Sequence, residues 1–347
     1  MTQRERQILQ WIEQDPMISQ EALAEKAGIT RSSVAVHISN LIKKGYIIGK
    51  GYVLRSGTYA AVVGGVNMDI GGQSDGPLVP GDSNPGRVRI SLGGVGRNIA
   101  HNMALLGLDV RFLTAFGDDL YAQRIAALRV PGGSTSTYLY LNGPDGDMAL
   151  AVSDMDICRK MTPQFLASRL TLLKGAQLIV ADANLPAESL RFLADHGAAP
   201  LFVDPVSTVK AEKLRPILGK IHTLKPNRME AELLSGVAIT NEESLRQAAQ
   251  VLLDTGLRRV FISLGSRGLF AADHRESLLL PCRPAAPVNA TGAGDAFMAG
   301  LAWAYLEGTD LRGTALAGAS AGAIAIEGSE TINPALSPEV LRARMDR

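Results

Sequence analysis

With 347 residues the chain is long enough for about two domains at roughly 100–200 residues each, and its 46% apolar and 20% charged composition excludes a disordered or fibrous protein. Two cysteines, Cys158 and Cys282, lie far apart and the five histidines are scattered, which argues against a disulfide framework or a structural zinc. The net charge is +1, but residues 1–56 hold 8 Lys+Arg against 5 Asp+Glu while the remainder holds 27 against 29, so the N-terminal piece is the one suited to a polyanion.

Residues 2–14 place Ile8, Leu9 and Ile12 at helical spacing, and Asp15-Pro16 ends that helix. A short second helix carries Ser19 as its cap, Leu23, Ala24 and Ala27 as a buried stripe, and Gly28 as a left-handed terminator. Thr30 caps a third, "RSSVAVHISNLIKK", closed by Gly45, and "YIIGKGYVL" reads as a β-hairpin. Three helices and a hairpin over residues 1–56 resemble a winged helix-turn-helix domain, with 55–59, "RSGTY", as the linker. That resemblance implies a third helix in the major groove of double-stranded DNA, with Arg31, Ser32, Ser33 and His37 near base edges and Lys43, Lys44 and Lys50 near phosphates. A small helical domain for dimer contacts or docking has the same composition.

From Ala60 onward the style changes. "AAVVGGVNMDI" reads as one β run, followed later by "QLIVADAN", "PLFVDP", "IHTLKPN" and "RRVFISLG", with helical patterns between them such as Pro163–Lys174 and Asn241–Thr255. Such alternation predicts an α/β fold, a parallel sheet with helices on both faces, over residues 57–347. Ligands collect at the carboxyl ends of such strands, where Asn67, Asp69, Asp182, Asn184, Asp204, Asn227, Glu230 and Gly265–Gly268 fall. Two segments break the pattern, about 70–92 and 134–153, and together predict a small β lid that closes over a substrate or serves as a dimer surface. The longest bland apolar run, "ALAGASAGAIAI", is shorter than the roughly 18 residues of a membrane span, and a cytoplasmic protein is expected.

"NATGAGDAFMAGLAWAYLEG" places Asp295 behind a Gly-Ala-Gly run at the start of an apolar helix. Capping explains an acid there, because a first-turn carboxylate favours the helix dipole. A phosphate cradle with a base beside it also explains it, since the amides of Gly292, Ala293 and Gly294 can bind phosphate oxygens and only small residues allow so close an approach. Asn227 and Glu230, three apart at a predicted helix start, suit either a capping box or a magnesium site.

"GGVGRN" (93–98), "NRME" (227–230), "SLGSRG" (263–268) and "TGAGD" (291–295) occur in the order and approximate spacing of the PfkB, or ribokinase-like, carbohydrate kinases, and the resemblance covers about residues 60–340. It implies ATP-dependent phosphoryl transfer with Asp295 as general base, the 292–294 amides as anion hole, and Thr291 assisting. It implies Mg²⁺ at Asn227 and Glu230, and a nucleotide loop at Ser263, Gly265 and Gly268, for which a plain β-turn is the alternative. Asn67, Asp69, Gly93, Gly94 and Asn98 resemble the family's grip on sugar hydroxyls, with Asp69 as a helix cap the alternative.

Within the family, "SNPGRVRISLGGVGRNIAHNMALLG", "VADANL" and "IHTLKPNRMEAELLSG" look like the bacterial pseudouridine kinases. That implies a nucleoside 5′-hydroxyl as acceptor, with other nucleosides or a pentose as alternatives; Thr137, Tyr138 and Asn184 lie where contacts to a base would occur. Asn289 stands where many sugar kinases carry Asp, which leaves a monovalent cation such as K⁺ open. A homodimer is expected. The chain also reads as short by about a dozen residues near Ala127-Leu128, judged against an ordinary βαβ connection. A nucleoside-sensing transcription factor with a kinase-like sensor is the competing function.

Overall fold

The computed structural model describes residues 2–15, 18–43, 46–47, 59–119, 128–130, 132–145 and 148–346. The chain divides into two compact units, residues 1–58 and 59–347.

In the first unit, helix Gln3–Gln14 starts on a capping box. Thr2 Oγ1 accepts from Glu5 N–H at 3.2 Å, and the Glu5 carboxylate accepts from Thr2 N–H at 2.6 Å. Ser19 caps Gln20–Ala27, and Gly28 ends it at φ 63°, in the left-handed region that favours glycine. Thr30 caps Arg31–Lys43 through Ser33 N–H at 3.2 Å. Ile8, Ile12, Leu23, Val34, Ile38 and Leu41 form the core of this unit, and truncating one such side chain to alanine costs about 2–5 kcal/mol. Lys44, Lys50 and the expected hairpin beyond Ile47 lie outside the described residues.

The second unit contains strands β1 (Tyr59–Val63), β2 (Asn67–Ser74), β3 (Gly86–Gly93), β4 (Asp109–Leu113), β5 (Ala115–Phe116), β6 (Leu128–Arg129), β7 (Thr137–Asn142), β8 (Met148–Asp154), β9 (Leu178–Asp182), β10 (Leu201–Asp204), β11 (Thr223–Leu224), β12 (Arg259–Ser263), β13 (Leu269–Asp273) and β14 (Ser277–Leu280). The main sheet runs β14-β13-β12-β11-β10-β9-β1-β4. It is parallel from β4 to β12, whereas β13 and β14 pair antiparallel. The parallel core is the one expected, and its far edge is antiparallel because Ser263 and Leu269 are joined by a turn too short for a crossover helix.

Strands β1, β9 and β10 are buried along their whole length, as continuous apolar runs covered on both faces must be. Alternate residues divide between two cores. Ala61, Val63, Ile179, Ala181 and Val203 face one, and Ala60, Val62, Leu178, Val180 and Phe202 face the other. The second core is closed by helices Val95–Leu105, Ala293–Leu306 and Leu311–Ile326.

The single β run expected from Ala60 to Ile70 is two strands in two sheets. After Val63 the chain passes Gly64, whose added Cβ would lie 2.3 Å from Asp182 Oδ2 and 2.9 Å from the Gly96 backbone, so the crossover is packed too closely for any side chain. Beyond it, β2 opens a four-stranded lid of order β3-β2-β7-β8. The helix expected over Pro163–Lys174 is likewise broken into Pro163–Ala167 and Leu170–Gly175, where Ser168 Oγ donates to the Phe165 carbonyl at 2.6 Å and competes with the helical ladder.

One face of the lid carries Val88, Ile90, Leu139, Leu141, Leu150 and Val152, all exposed. Register aligns them in two rows, Val88–Gly72–Leu141–Leu150 and Ile90–Ile70–Leu139–Val152. The opposite face carries Asp69, Arg89, Ser91, Tyr138 and Tyr140, which line a cavity of about 870 Å³.

Candidate active site

Asn67 and Asp69 sit on the lid, two residues apart on β2, with the Asn67 amide donating to Asp69 Oδ1. Asn67 pairs with Gly93 across β2–β3, and a Cβ at Gly93 would fall 2.2 Å from the Asp69 carboxylate. Glycine there leaves room for the carboxylate to lie over the strand. Gly94, at φ 98°, caps helix Val95–Leu105 where the backbones of Gly65 and Val66 press against it. Burial pushes the Asp69 carboxyl up, while the Asn67 amide and the Arg97 charge pull it down. Asp69 is part of a strand and not a helix cap.

The helix that begins after Gly94 carries the link to the other side of the site. Asn98 Nδ2 donates to Asp295 Oδ2 at 2.8 Å, and Asn98 Oδ1 accepts from Arg97 at 3.1 Å. Arg97 also donates to the Leu92 carbonyl at 2.9 Å. A hydrogen-bonded path therefore runs from Asp295 through Asn98 to the guanidinium whose charge acts on Asp69.

Gly292 caps helix Ala293–Leu306 at φ 84°, and a Cβ there would meet the Thr331 carbonyl at 2.2 Å. Glycine is thus required by the turn itself. The first N–H groups of this helix have no partner within it. Asn289 shapes the approach: its Oδ1 accepts from Thr291 N–H at 2.9 Å and its amide donates to the Ser329 carbonyl at 3.3 Å.

Asp295 is buried, and burial together with the Asp204 carboxylate lifts its carboxyl to about 8, against the pull of the Asn98 amide and the Lys225 ammonium. A carboxyl near physiological pH is what general-base catalysis asks for. Thr291 and Asn289 line the same cavity as Asp69, whereas Asp295 and Asn98 do not form its wall.

Lys225 was not marked by the sequence motifs. Its ammonium lies 3.0 Å from Asp204, with both side chains less than 10% exposed. A Cβ on Gly294 would lie 3.4 Å from it, so this buried cation stands directly behind the glycine loop. Burial alone pulls the ammonium down, but the negative charges of Asp204, Glu230 and Asp295 prevail and hold it above its ordinary value.

Asn227 and Glu230 form a reciprocal capping box. Asn227 Oδ1 accepts from Glu230 N–H at 2.9 Å, and Glu230 Oε2 accepts from Asn227 N–H at 2.8 Å. Each of these oxygens keeps a second lone pair and the other Glu230 oxygen is not part of the box, so the box leaves acceptor capacity for a cation. Such a donor set fits a magnesium ion that keeps most of its water. Burial raises the Glu230 carboxyl as well.

Asn227 bridges to Ser263 at the adjacent strand end, so the "NRME" and "SLGSRG" segments meet. Gly265 at φ 62° and Gly268 at φ 94° shape the β12–β13 turn. Asn184 accepts from Lys210 at 2.6 Å, and Asp182 is a fully buried acid that accepts from the N–H groups of Gly65 and Asn184. Tyr138 lines the cavity, and Thr137 lies on the other side of the strand.

In the first unit, Arg31 is paired with Glu21 at 3.0 Å, the Ser32 and Ser33 hydroxyls lie 3.0 and 2.9 Å from Thr30 Oγ1, and His37 Nδ1 is buried without a partner. Arg31 and Ser32 are exposed, His37 only partly so. No described helix is long and apolar enough to cross a membrane.

Comparison with known proteins places these features in a family. The pfkB family carbohydrate kinase description matches residues 58–338, and a winged helix-turn-helix DNA-binding description matches residues 1–48. Among individual relatives, the uncharacterized sugar kinase YeiI of Escherichia coli is 39% identical over 98% of both chains. The pseudouridine kinase of the same organism is 39% identical over 82% of this chain and 95% of its own. A structure of Arabidopsis thaliana ribokinase with ribose and ATP superposes with a TM-score of 0.74 at 21% identity, covering 84% of this chain and 99% of that one, and shows the shared fold.

Proposed function

The chain belongs to the pfkB family of carbohydrate kinases, and from that premise we propose that it transfers phosphate from ATP to the 5′-hydroxyl of a nucleoside, pseudouridine before others. It is a sugar or nucleoside kinase. The finer reading draws on the likeness to pseudouridine kinase, and for the chemistry on one contact, the Asn98–Asp295 hydrogen bond that couples the acceptor side to the base.

In this reading Asn67 and Asp69 hold sugar hydroxyls, the carboxylate accepting and the amide donating or accepting. Asp295 takes the proton of the attacking hydroxyl as its oxygen bonds to the γ-phosphorus and the bond to the β-phosphate oxygen breaks, leaving ADP. The Gly292, Ala293 and Gly294 amides face the developing charge, backed by Lys225. Magnesium, held through water by Asn227 and Glu230, would supply charge neutralisation on the nucleotide phosphates. Ser263, Gly265 and Gly268 form the nucleotide loop. Since Asn289 is neutral and already engaged, turnover is expected to respond weakly to K⁺.

We assign two further roles. A second copy of the chain covers the apolar lid face, giving a two-fold dimer. The N-terminal unit binds double-stranded DNA through Arg31, Ser32, Ser33, His37, Lys43 and Lys44, consistent with its helix-turn-helix match. Binding of the full chain to duplex DNA should fall steeply between two salt concentrations, and a salt-insensitive chain would point to a docking module.

The deciding experiment is ATP- and Mg²⁺-dependent transfer to pseudouridine, uridine, inosine and ribose, with Asp295→Asn as control. Turnover on pseudouridine, reduced about 10²–10⁴-fold in the variant, is expected. Nucleoside binding without transfer to any acceptor would instead favour a sensor that controls transcription.

A further inference from the structure

The cavity beneath the lid is longer than the Asn67–Asp69 grip, and its continuation is aromatic. Tyr138 stands opposite Asp69 in the β2–β7 register and Tyr140 opposite Gly71. A Cβ at Gly71 would lie 2.4 Å from Tyr140 Cζ and 2.5 Å from its hydroxyl, so the Tyr140 ring lies across the bare backbone of the neighbouring strand. The two tyrosine rings sit side by side, centroids 5.7 Å apart and planes at 36°. Together they make an aromatic platform on the cavity face of the sheet. Its surroundings are rich in hydrogen-bond donors: Arg89 from β3, Arg97 and His101 from the adjoining helix, and Asn142 at the end of β7.

Apart from Arg97, which Asn98 ties to Asp295, none of these groups takes part in phosphoryl transfer as described above. A sugar held by hydroxyls needs no aromatic surface beside it, whereas a planar ring attached to that sugar does, because base–tyrosine stacking contributes on the order of tenfold or more in affinity. The Arg89 and Arg97 guanidiniums can only donate, so at their edge of the platform they complement a ring carbonyl and cannot accept from an exocyclic amino group.

We propose that Tyr138 and Tyr140, lying over Gly71 and rimmed by Arg89 and Arg97, form a nucleobase subsite that selects nucleosides with a carbonyl-bearing ring over free pentoses and amino-bearing purines. This rests on the nucleoside-kinase reading and names the part of the site that would make it specific.

The test separates the two. Binding of pseudouridine, uridine, adenosine and ribose to the full chain is measured by calorimetry without ATP, for wild type, Tyr140→Leu, Tyr140→Phe, Gly71→Ala and Arg89→Gln. The expected result is a nucleoside-to-ribose affinity ratio that falls about tenfold in Tyr140→Leu and Gly71→Ala, is retained in Tyr140→Phe, and narrows between pseudouridine and adenosine in Arg89→Gln. Gly71→Ala keeps the tyrosine but displaces its ring, so it reports on the platform even where Tyr140→Leu folds poorly. An unchanged ratio in both variants, or wild-type binding that does not distinguish nucleosides from ribose, overturns the subsite. Phosphate transfer by wild type on the same panel is scored separately. Platform-dependent binding without transfer removes the kinase reading and keeps the subsite, and transfer to ribose with no platform effect does the reverse.

Discussion

Asn98 Nδ2 donates to Asp295 Oδ2 at 2.8 Å across 197 residues of chain, joining the helix that follows the sugar-side glycines to the helix that follows the phosphate-side ones. The bond favours the ionised form of an acid that burial and Asp204 hold at about 8 even against its pull. Because the base acts when deprotonated, kcat/KM should rise about tenfold per pH unit below that value and level above it. In Asn98→Leu the rising limb should move about one to two units higher, the equivalent of losing one hydrogen bond to a charged group. A pH–rate profile unchanged by the substitution would count against this coupling.

Stability should carry the opposite signature. Between the ordinary carboxyl range near 3.8 and the folded value of about 8, the folded chain keeps a proton on Asp295 that the unfolded chain has lost. Stability therefore declines as pH rises through that window. Asp295→Asn removes the dependence, so its melting temperature should approach the wild-type value near pH 4 and exceed it increasingly toward pH 8. A constant difference across that range would mean that Asp295 ionises normally.

Lys225 and Asp204 form a buried pair, and removing one partner strands the other. Lys225→Met should cost about 3–5 kcal/mol in urea denaturation, as should replacing Asp204 alone. The double variant Lys225→Met with Asp204→Leu should lose much less than the sum. Strict additivity would show that the pair does not act as a unit.

The lid's outer face is open to a direct test of assembly. Ile90 and Leu139, both exposed and flanking Ile70 in register, should tolerate Glu without unfolding the sheet. Light scattering is expected to give a dimer for wild type and a monomer for Ile90→Glu with Leu139→Glu. A monomeric wild type at tens of micromolar would remove the dimer.

The alternation of strands and helices was legible because each element has its own period, and the caps at Ser19, Gly28 and Asn227 were legible because a cap is a local matter. The break between β1 and β2 was not. Apolar residues continue through Gly64 and Gly65, and only the approach of Gly96 and Asp182 from distant segments shows that the chain must turn there. The antiparallel edge at β13 and β14 escaped for a related reason, since the loop after β12 supports a phosphate-binding turn and a hairpin equally well. Lys225 reads in isolation as a solvated lysine, and its burial follows from Asp204, which lies on a separate strand. The capping-box reading of Asn227 and Glu230 and the metal reading share one spacing; the structure shows the capping box, whose oxygens each keep a second lone pair.

The order in which the site's parts occur along the chain bears on biosynthesis. The acceptor grip is encoded by residues 67–98 and the lid ends at Asp154, but the base and the anion loop arrive only at 292–295, on a helix that also closes the second core over Ile99 and Met103. A ribosome that stalls before that helix releases a product with the sugar grip and neither the acid nor the apolar cover, leaving Ile99, Met103 and Val62 in water. Such a product exposes the surface that chaperones and proteases recognise before it can act on any substrate. Quality control and catalytic competence are thus gated by the same late stretch of translation.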